Sequence, residues 1–245
     1  MIRLADYATT PPEDANRKKL EKLTDKYQER IGDLNEILRA ERNHAVLVVL
    51  QGMDGSGKDG VVKKVFKDCT HFNVSVYPFK KPTELEFAHD FLWRVHKQVP
   101  AKGEIKIFNR SHYEDILIQR VHGWIDEDRV KNRMEAINAF EKLLVFDNNT
   151  TVLKFYLHIS YEQQAIELQQ RIDEPEKHWK HNEGDWEERK LWKQYMKAYE
   201  DVLNWSEIPW TIVPVDERWY RDYIIAKKVC EAMEALNLQY PEMEK

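Results

Sequence analysis

Residues 45–65 read AVLVVLQGMDGSGKDGVVKKV, and this stretch decides the fold. It opens with a continuous apolar run at 45–50, which is typical of a strand buried on both faces of a parallel sheet. Residues 52–58 then match the pattern G-x-x-x-x-G-K, and a helix is predicted from Val61 to Lys67. In such a unit, backbone N–H groups surround a phosphate, the helix N-terminus adds positive potential, and the lysine reaches the anion. The predicted phosphate-binding residues are Gly55, Ser56, Gly57, Lys58 and Asp59.

Two carboxylates depart from the usual form of this loop. Asp59 stands where Ser or Thr normally holds magnesium, and Asp54 lies inside the loop itself. A carboxylate beside bound phosphate is repelled unless it holds a metal ion or orients the attacking group. The alternative is that Asp54 only caps the turn through its own backbone. We favour the functional role and predict Asp54 as a metal ligand.

Strands and helices alternate outward from this unit along the whole chain. A leading helix is predicted over 13–43, within a leading segment 1–44, because leucines and other apolar residues recur there at spacings of three and four. Further strands are predicted at 74–77, 104–109, 152–159 and 210–215, and further helices at 83–98, 113–121, 126–147, 161–173, 186–204 and 218–236. A capping box of Thr83 and Glu86 opens the 83–98 helix. Five strands alternating with helices predict one α/β domain over 1–245, a three-layer sandwich with a five-stranded parallel sheet.

The segment 173–185, DEPEKHWKHNEGD, interrupts this alternation because it is polar and lacks apolar periodicity. It lies between two predicted helices, so a helical hairpin with a mobile tip is expected. In a phosphotransferase this is a natural place for a lid, predicted within about 171–190. The alternative is an exposed loop with no catalytic duty.

Polar side chains follow the third predicted strand, where ligands bind in open α/β sheets. Arg110 is suited to clamp phosphate oxygens, and Glu114 offers a carboxylate to a metal ion or a nucleotide. Asn109 stands where many phosphate-binding loop enzymes place an aspartate that binds metal. His112 is more often a hydrogen-bonded structural residue than a base.

The second predicted strand ends in Phe79-Lys-Lys-Pro-Thr83. Lys80 and Lys81 beside a rigid turn can hold a nucleotide phosphate, and Phe79 or Pro82 can pack on a base. The alternative interpretation is that the two lysines are ordinary solvated charges on the surface. Both interpretations stay open at this point.

Composition excludes several classes of function. The chain is 42% hydrophobic and 33% charged with a net charge of −5, which is globular and argues against a surface built for nucleic acid. The first residues lack the features of a signal peptide, and the longest apolar runs fall short of a membrane span. We therefore expect a cytoplasmic protein that binds neither nucleic acid nor membrane.

Several ordered blocks of the sequence resemble the family-2 polyphosphate kinases. They are QGMDGSGKDG at 51–60, FKKPT at 79–83, HDFLWRVH at 89–96, FNRSHYED at 108–115, ERKLWKQYMKAYED at 188–201 and WYR at 219–221. The resemblance covers most of the chain from residue 45 onward and is far more specific than the phosphate-binding loop alone. At two positions, Asn109 and Glu114, the residue types resemble those of the branch of the family that phosphorylates both nucleoside mono- and diphosphates.

The resemblance implies a thymidylate-kinase-like P-loop fold with a helical lid, and Mg²⁺-dependent, reversible phosphoryl transfer between inorganic polyphosphate and nucleotides. By the same resemblance, Asp54, Lys58 and Arg110 form the catalytic core. The cationic residues expected to track the polyphosphate chain are Lys63, Lys67, Arg171, Lys177 and Lys180. Phe79, Lys80, Lys81, Pro82, Asn109, Arg110 and Glu114 are the expected nucleotide-binding residues, and Asp54 and Glu114 the metal ligands. A homo-oligomer, dimer or tetramer, is also expected.

There are two alternative functions. One has a different phosphoryl donor, and the other belongs to a different class of protein. An ATP-dependent nucleoside monophosphate kinase shares the loop and lid but needs a pocket for a second adenine instead of a row of cations. A nucleotide-binding switch or scaffold usually shows a base-specificity motif and a metal-binding aspartate, and the sequence shows neither clearly.

Overall fold

The sheet has the five parallel strands that the sequence predicts. A computed structural model describes residues 1–243. Its strands are β1 (Ala45–Gln51), β2 (Val74–Pro78), β3 (Ile105–Asn109), β4 (Thr150–His158) and β5 (Trp210–Pro214). The order across the sheet is β2-β3-β1-β4-β5, and every adjacent pair is parallel. The prediction of a five-stranded parallel sheet is confirmed.

β1 is the central strand, as its apolar run requires. All seven of its residues are buried, and Val48 lies in register with Ile107 of β3 on one side and Leu153 of β4 on the other. After β1, the chain forms β2 and β3 on one side of β1 and then β4 and β5 on the other side. The carboxyl ends of β1 and β3 therefore lie side by side at the point where the winding reverses, which is where ligands bind in open α/β sheets.

Ten α-helices complete the layers on the two faces of the sheet within residues 1–243. They are α1 (Arg17–Glu41), α2 (Lys58–Val65), α3 (Glu84–Phe87), α4 (Trp93–His96), α5 (Glu114–Val121), α6 (Glu127–Asn148), α7 (Tyr161–Asp173), α8 (Gly184–Lys190), α9 (Trp192–Trp205) and α10 (Arg218–Glu234). Two 3₁₀-helices span Leu4–Asp6 and Pro175–Lys180. α10 packs against both α1 and α2, while α5 packs against α6 and α9. This arrangement confirms the predicted three-layer α/β sandwich.

The leading helix is shorter than predicted at its N-terminal end. It starts at Arg17 because the Asn16 side chain accepts a hydrogen bond from the Lys19 amide at 2.9 Å and caps the first turn. It ends at Glu41, where Arg42 adopts a left-handed conformation. Among residues 1–243, no helix is long and apolar enough to cross a membrane.

The prediction of a single helix over 83–98 is wrong. The Thr83/Glu86 capping box is present, but α3 ends at Phe87 and a second short helix begins at Trp93. The cause is Asp90, whose carboxylate accepts hydrogen bonds from the amides of Leu92 and Trp93 at 3.0 and 3.1 Å. An aspartate that caps its own following turn competes with continuation of the helix.

The segment 173–185 is also more regular than predicted. Its centre forms the 3₁₀-helix Pro175–Lys180, which packs against α7. The following helix, predicted over 186–204, is broken at Leu191 into α8 and α9. Lys180 and its neighbours are thus presented from a defined backbone rather than from an irregular loop.

Candidate active site

The phosphate-binding loop lies between the carboxyl end of β1 and the N-terminus of α2. Gly55 and Gly57 have φ values of +87° and +82°, which favour glycine. A Cβ atom on Gly57 would lie 2.1 Å from Nη1 of Arg221, and that same guanidinium nitrogen donates to the Gly57 carbonyl at 3.1 Å. The second glycine of the motif is therefore required both by its backbone and by the close approach of α10.

Lys58 is held under this loop. It is 8% exposed, and its Nζ donates to the carbonyl oxygens of Gly52 at 2.8 Å and Met53 at 3.1 Å. Burial lowers the pKa of Lys58 to about 8, although Asp54 acts in the opposite direction. An ammonium group has three donors, so one is left for a bound anion when Lys58 is protonated.

Arg110 reaches the loop from the neighbouring strand. Because Asn109 lies in register with Leu50 of β1, the residue after β3 emerges beside the phosphate-binding loop. Arg110 has a φ of +61°, and its Nη2 forms an ion pair with Oδ1 of Asp54. A non-glycine residue in the left-handed region of backbone conformation costs about 1–3 kcal/mol, and it keeps that conformation only when the surrounding contacts hold it there.

Asp54 is ionised and pairs with Arg110 rather than with its own turn. Burial alone would raise the pKa of its carboxyl group, but Arg110 and Lys58 more than offset this and hold the pKa below its ordinary value. Glu114 flanks Arg110 on the other side, with Oε2 4.0 Å from Nη1, and accepts a hydrogen bond from Gln51 at 2.9 Å. The structure therefore brings together Asp54, Lys58 and Arg110, as the sequence predicts.

Asp54 and Glu114 are the two predicted metal ligands. Within the described residues 1–243, no group of three or more His, Cys, Asp or Glu side chains is arranged to hold a metal ion. Mg²⁺ commonly binds through one or two carboxylates plus water and substrate phosphates rather than an all-protein cage. Two carboxylates beside a phosphate-binding loop fit an ion of that kind.

Asp59 links the loop to the 3₁₀-helix of the 171–190 segment. Its carboxylate accepts from Asn109 Nδ2 at 2.7 Å and from Lys180 Nζ at 2.9 Å. Burial raises the pKa of Asp59, but these two hydrogen bonds outweigh it and the net shift is downward. Arg171 is fixed nearby by Asp185, with Nη1 2.6 Å from Oδ2. The segment thus lies against the phosphate-binding loop.

A cavity of about 650 Å³ lies above the loop, and we call it the basic cavity. Its lining holds eight cationic side chains and three carboxylates. The cations are Lys58, Lys80, Arg110, Arg171, Lys177, Lys180, Arg218 and Arg221. The carboxylates belong to Asp54, Asp59 and Glu167. This excess of positive charge in a concave site favours a strongly anionic ligand.

A larger cavity of about 1360 Å³ opens on the other side of Arg110, and we call it the aromatic cavity. Four aromatic side chains line it: Phe79, Phe87, Phe91 and Trp124. Its six cations are nearly balanced by five carboxylates. The predicted nucleotide-binding residues Phe79, Lys80, Lys81, Pro82, Arg110 and Glu114 all line it, whereas Asn109 lines the basic cavity. Phe79, Lys80 and Arg110 are shared by both cavities.

Some predicted site residues lie elsewhere than expected. Lys63 and Lys67 do not line the basic cavity, and Lys67 instead lies 3.4 Å from Asp25 of α1. Ser56 is 2% exposed and also lies outside the lining. Phe79 is 4% exposed and packs edge-on against Tyr77 and Phe108, so its ring is less available to a base than the sequence suggests.

Arg218 and Arg221 complete the basic cavity, and the sequence patterns above predict no role for either of them. Both lie in the first turn of α10, and Arg218 pairs with Glu167 at 2.6 Å. A signal for them exists, because they follow β5 and its carboxyl end lies at the same edge of the sheet as the phosphate-binding loop. Two arginines at spacing three would then share one helix face.

The fold and this site define a P-loop kinase-like phosphotransferase. The family described as Polyphosphate kinase 2 matches residues 14–241. An AMP/ADP-polyphosphate phosphotransferase of Meiothermus ruber is 46% identical over 88% of this chain and 81% of its own length. An ADP-polyphosphate phosphotransferase of Rhodopseudomonas palustris is 40% identical over 87% and 79%.

A solved structure agrees with these sequence relationships. The crystal structure of polyphosphate kinase 2 from Arthrobacter aurescens TC1 matches with a TM-score of 0.95 at 38% identity, covering 100% of this chain and 89% of that chain. The chain belongs to the polyphosphate kinase 2 family. The predicted family, fold and enzyme class are thereby confirmed.

Proposed function

We propose that this enzyme catalyses Mg²⁺-dependent, reversible transfer of a phosphoryl group between inorganic polyphosphate and nucleoside mono- and diphosphates. The observation that carries the proposal is the meeting of two unlike cavities at Arg110. One has a large excess of cations, the other has nearly balanced charges and four aromatic side chains, and the phosphate-binding loop lies at their junction.

The basic cavity is suited to the polyphosphate donor. A polyphosphate chain carries charge along its whole length and offers no base to stack, so recognition rests on lysine and arginine side chains. Lys177 and Lys180 on the 3₁₀-helix, with Arg218 and Arg221 on α10, continue the cationic lining beyond the loop. An ATP-dependent monophosphate kinase would instead need a second adenine pocket on this side.

The aromatic cavity is suited to the nucleotide acceptor. Phe87 and Trp124 are 59% and 65% exposed, and both line the cavity, so their rings are available to a base. Lys80 and Lys81 lie on the same lining and can neutralise the acceptor phosphate. The cavity volume of about 1360 Å³ exceeds the range usual for small-molecule sites, which leaves room for both mono- and diphosphates.

Transfer at the junction needs positioning and charge neutralisation more than covalent chemistry from the protein. Lys58 and Arg110 would stabilise charge on the transferred phosphoryl group, and Asp54 would orient Arg110 and the acceptor. Mg²⁺, held by Asp54 and Glu114 with phosphate oxygens, would neutralise the charge that develops between donor and acceptor. The acceptor phosphate is already ionised near neutral pH, so no strong general base is needed.

The 171–190 segment would act as the lid of this single domain. The contact between Lys180 and Asp59 supports a closed position in which the segment covers the loop. A closed lid excludes water and limits hydrolysis of the donor. A homo-oligomer and a cytoplasmic location stay predictions from the sequence, and light scattering on the purified protein tests the first of them.

A coupled assay with Mg²⁺ tests the function. Long-chain polyphosphate is the sole donor, and AMP or ADP is the acceptor. We expect ADP and ATP to form from AMP, as the name of the Meiothermus ruber relative and the pair Asn109 and Glu114 suggest. ATP from ADP without any product from AMP would overturn the acceptor range, and activity with ATP alone as donor would overturn the proposal.

A further inference from the structure

Four polar side chains are buried together beneath the turn that follows β3. They are His112 and Tyr113 of the turn, Glu141 of α6 and Lys154 of β4, each at most 2% exposed. Lys154 Nζ donates to Glu141 Oε2 at 2.6 Å and to Tyr113 Oη at 2.7 Å. The Tyr113 hydroxyl donates in turn to Glu141 Oε1 at 2.8 Å, and His112 Nε2 lies 3.3 Å from the same oxygen. Tyr113, Glu141 and Lys154 form a closed triangle.

Stability alone is a weak explanation for this triangle. The cost of removing a buried ion pair from water often exceeds the attraction gained, and apolar residues of similar volume commonly serve the fold as well. The best-attested use of buried ionic groups is to fix one particular arrangement of the chain. The arrangement that Tyr113 can fix is that of the turn 110–114.

This turn carries two residues of the site. Arg110 opens it with a φ of +61°, and Glu114 closes it at the start of α5. A backbone conformation of this kind needs support from its surroundings. The first half of the turn is tied to β1, since Ser111 Oγ donates to Gln51 Oε1 at 3.2 Å and accepts from the Tyr113 amide at 3.2 Å.

The second half of the turn is tied down by the triangle. The Tyr113 ring reaches into the core, packs edge-on against Trp210 at 4.9 Å, and places its hydroxyl between Glu141 and Lys154. Neither Tyr113, Glu141 nor Lys154 lines the basic or the aromatic cavity. These residues therefore do not face either cavity directly, and Tyr113 connects them to the turn that carries Arg110.

We propose that Tyr113, Glu141 and Lys154 are positioning residues that hold Arg110 in the geometry needed for phosphoryl transfer. The inference rests on the proposed function, because it presumes that Arg110 acts on the transferred group. The polar triangle gives the turn a directional anchor that an apolar side chain would not.

Tyr113→Phe tests the anchor because it removes one hydroxyl group and keeps the ring. We expect kcat to fall about tenfold, while the KM values for AMP and polyphosphate stay within twofold. The matched control is Tyr156→Phe, a tyrosine 1% exposed on β4 whose hydroxyl contacts Met196 Sδ at 3.7 Å. Its kcat should stay within twofold of wild type.

A double-mutant cycle with Arg110→Lys separates positioning from general structural damage. If the triangle acts through the guanidinium, Tyr113→Phe should change kcat by less than twofold in the Arg110→Lys background. Structural damage would lower kcat by the same factor in both backgrounds, and that additive result would overturn the inference. An unchanged kcat for Tyr113→Phe in the wild-type background would also overturn it.

A Glu141→Leu/Lys154→Met double variant provides a second test in the same cycle if Tyr113→Phe yields no soluble protein. It replaces both charges of the buried pair by apolar side chains of similar volume, so neither charge is left without its partner while Tyr113 loses its two anchoring groups, and the same loss and the same dependence on Arg110 are expected. The wild-type enzyme is the reference throughout. No transfer from polyphosphate by wild type would refute the proposed function, whereas an active wild type with an additive cycle would refute this inference alone.

Discussion

The basic and aromatic cavities share Phe79, Lys80 and Arg110 but differ in almost everything else. In the first, eight cations face three carboxylates and two aromatic side chains, Phe79 and Trp179, are present. In the second, six cations face five carboxylates and four aromatic side chains are present. The first is built from the phosphate-binding loop, the 171–190 segment and α10. The second is built largely from the region between β2 and α6.

In the proposed function, this difference would let one site distinguish two phosphorylated substrates. Both substrates carry phosphates, so a cation alone cannot tell donor from acceptor. A chain of phosphates gains most from a run of cations, while a nucleotide gains from a ring to stack on and a few cations for its phosphates. Substitutions in the two cavities should therefore have separable effects on the two substrates.

Lys58→Ala, at the junction, should have the largest effect. Removing the buried ammonium should lower kcat about 10³-fold, since preorganised charge at the transferred group is lost. The measurement is steady-state kinetics with polyphosphate and AMP, together with the thermal unfolding midpoint to confirm folding. Lys64→Ala on the same helix lies outside both cavities and should stay within twofold, and a near-normal kcat for Lys58→Ala would contradict the role of the loop.

The pH dependence of kcat/KM should report the loss of the proton from Lys58. Burial lowers the pKa of Lys58 to about 8, so the charged form is present below that pH and is lost as the pH rises through it. Because kcat/KM reports the free enzyme, it should fall about tenfold per unit above pH 8. Lys58→Arg should lack this decline, since a guanidinium does not titrate in this range. A flat wild-type profile from pH 7 to 10 would contradict the assignment.

Trp124→Ala should have the smallest effect and should be confined to the acceptor. Trp124 is 65% exposed on the lining of the aromatic cavity, so loss of its ring should raise the KM for AMP about fivefold. The KM for polyphosphate should not change. Phe72→Ala, an aromatic residue 82% exposed outside both cavities, is the control and should leave both constants as in wild type. An equal rise in both constants after Trp124→Ala would contradict the division of the site.

The strands and the phosphate-binding loop could be predicted from the sequence because their signals are local. A continuous apolar run defines β1, the shorter β-branched and aromatic pattern IKIFN defines β3, and the loop motif follows β1 directly. A parallel sheet puts the residues after β3 at the same edge as that loop, so Arg110 and Glu114 could be assigned to the site, whereas their place directly beside the loop depends on the strand order, which the sequence did not predict.

The rest depends on contacts that sequence spacing does not encode. The 83–98 helix is broken because Asp90 caps a new turn, an alternative that apolar periodicity does not reveal. Arg221 reaches Gly57 across 164 residues, and Lys180 reaches Asp59 across 121. Lys67 resembles the other lysines in sequence, but tertiary packing places it beside Asp25 rather than in the basic cavity.

The central claim is that the basic cavity takes the polyphosphate and the aromatic cavity takes the nucleotide. The most direct measurement is the pair of KM values, for polyphosphate and for AMP, in a Lys177→Gln/Lys180→Gln double variant. Both lysines line the basic cavity and neither lines the aromatic one. We predict that the KM for polyphosphate rises about tenfold while the KM for AMP stays within twofold. A rise in the KM for AMP with an unchanged KM for polyphosphate would contradict the account.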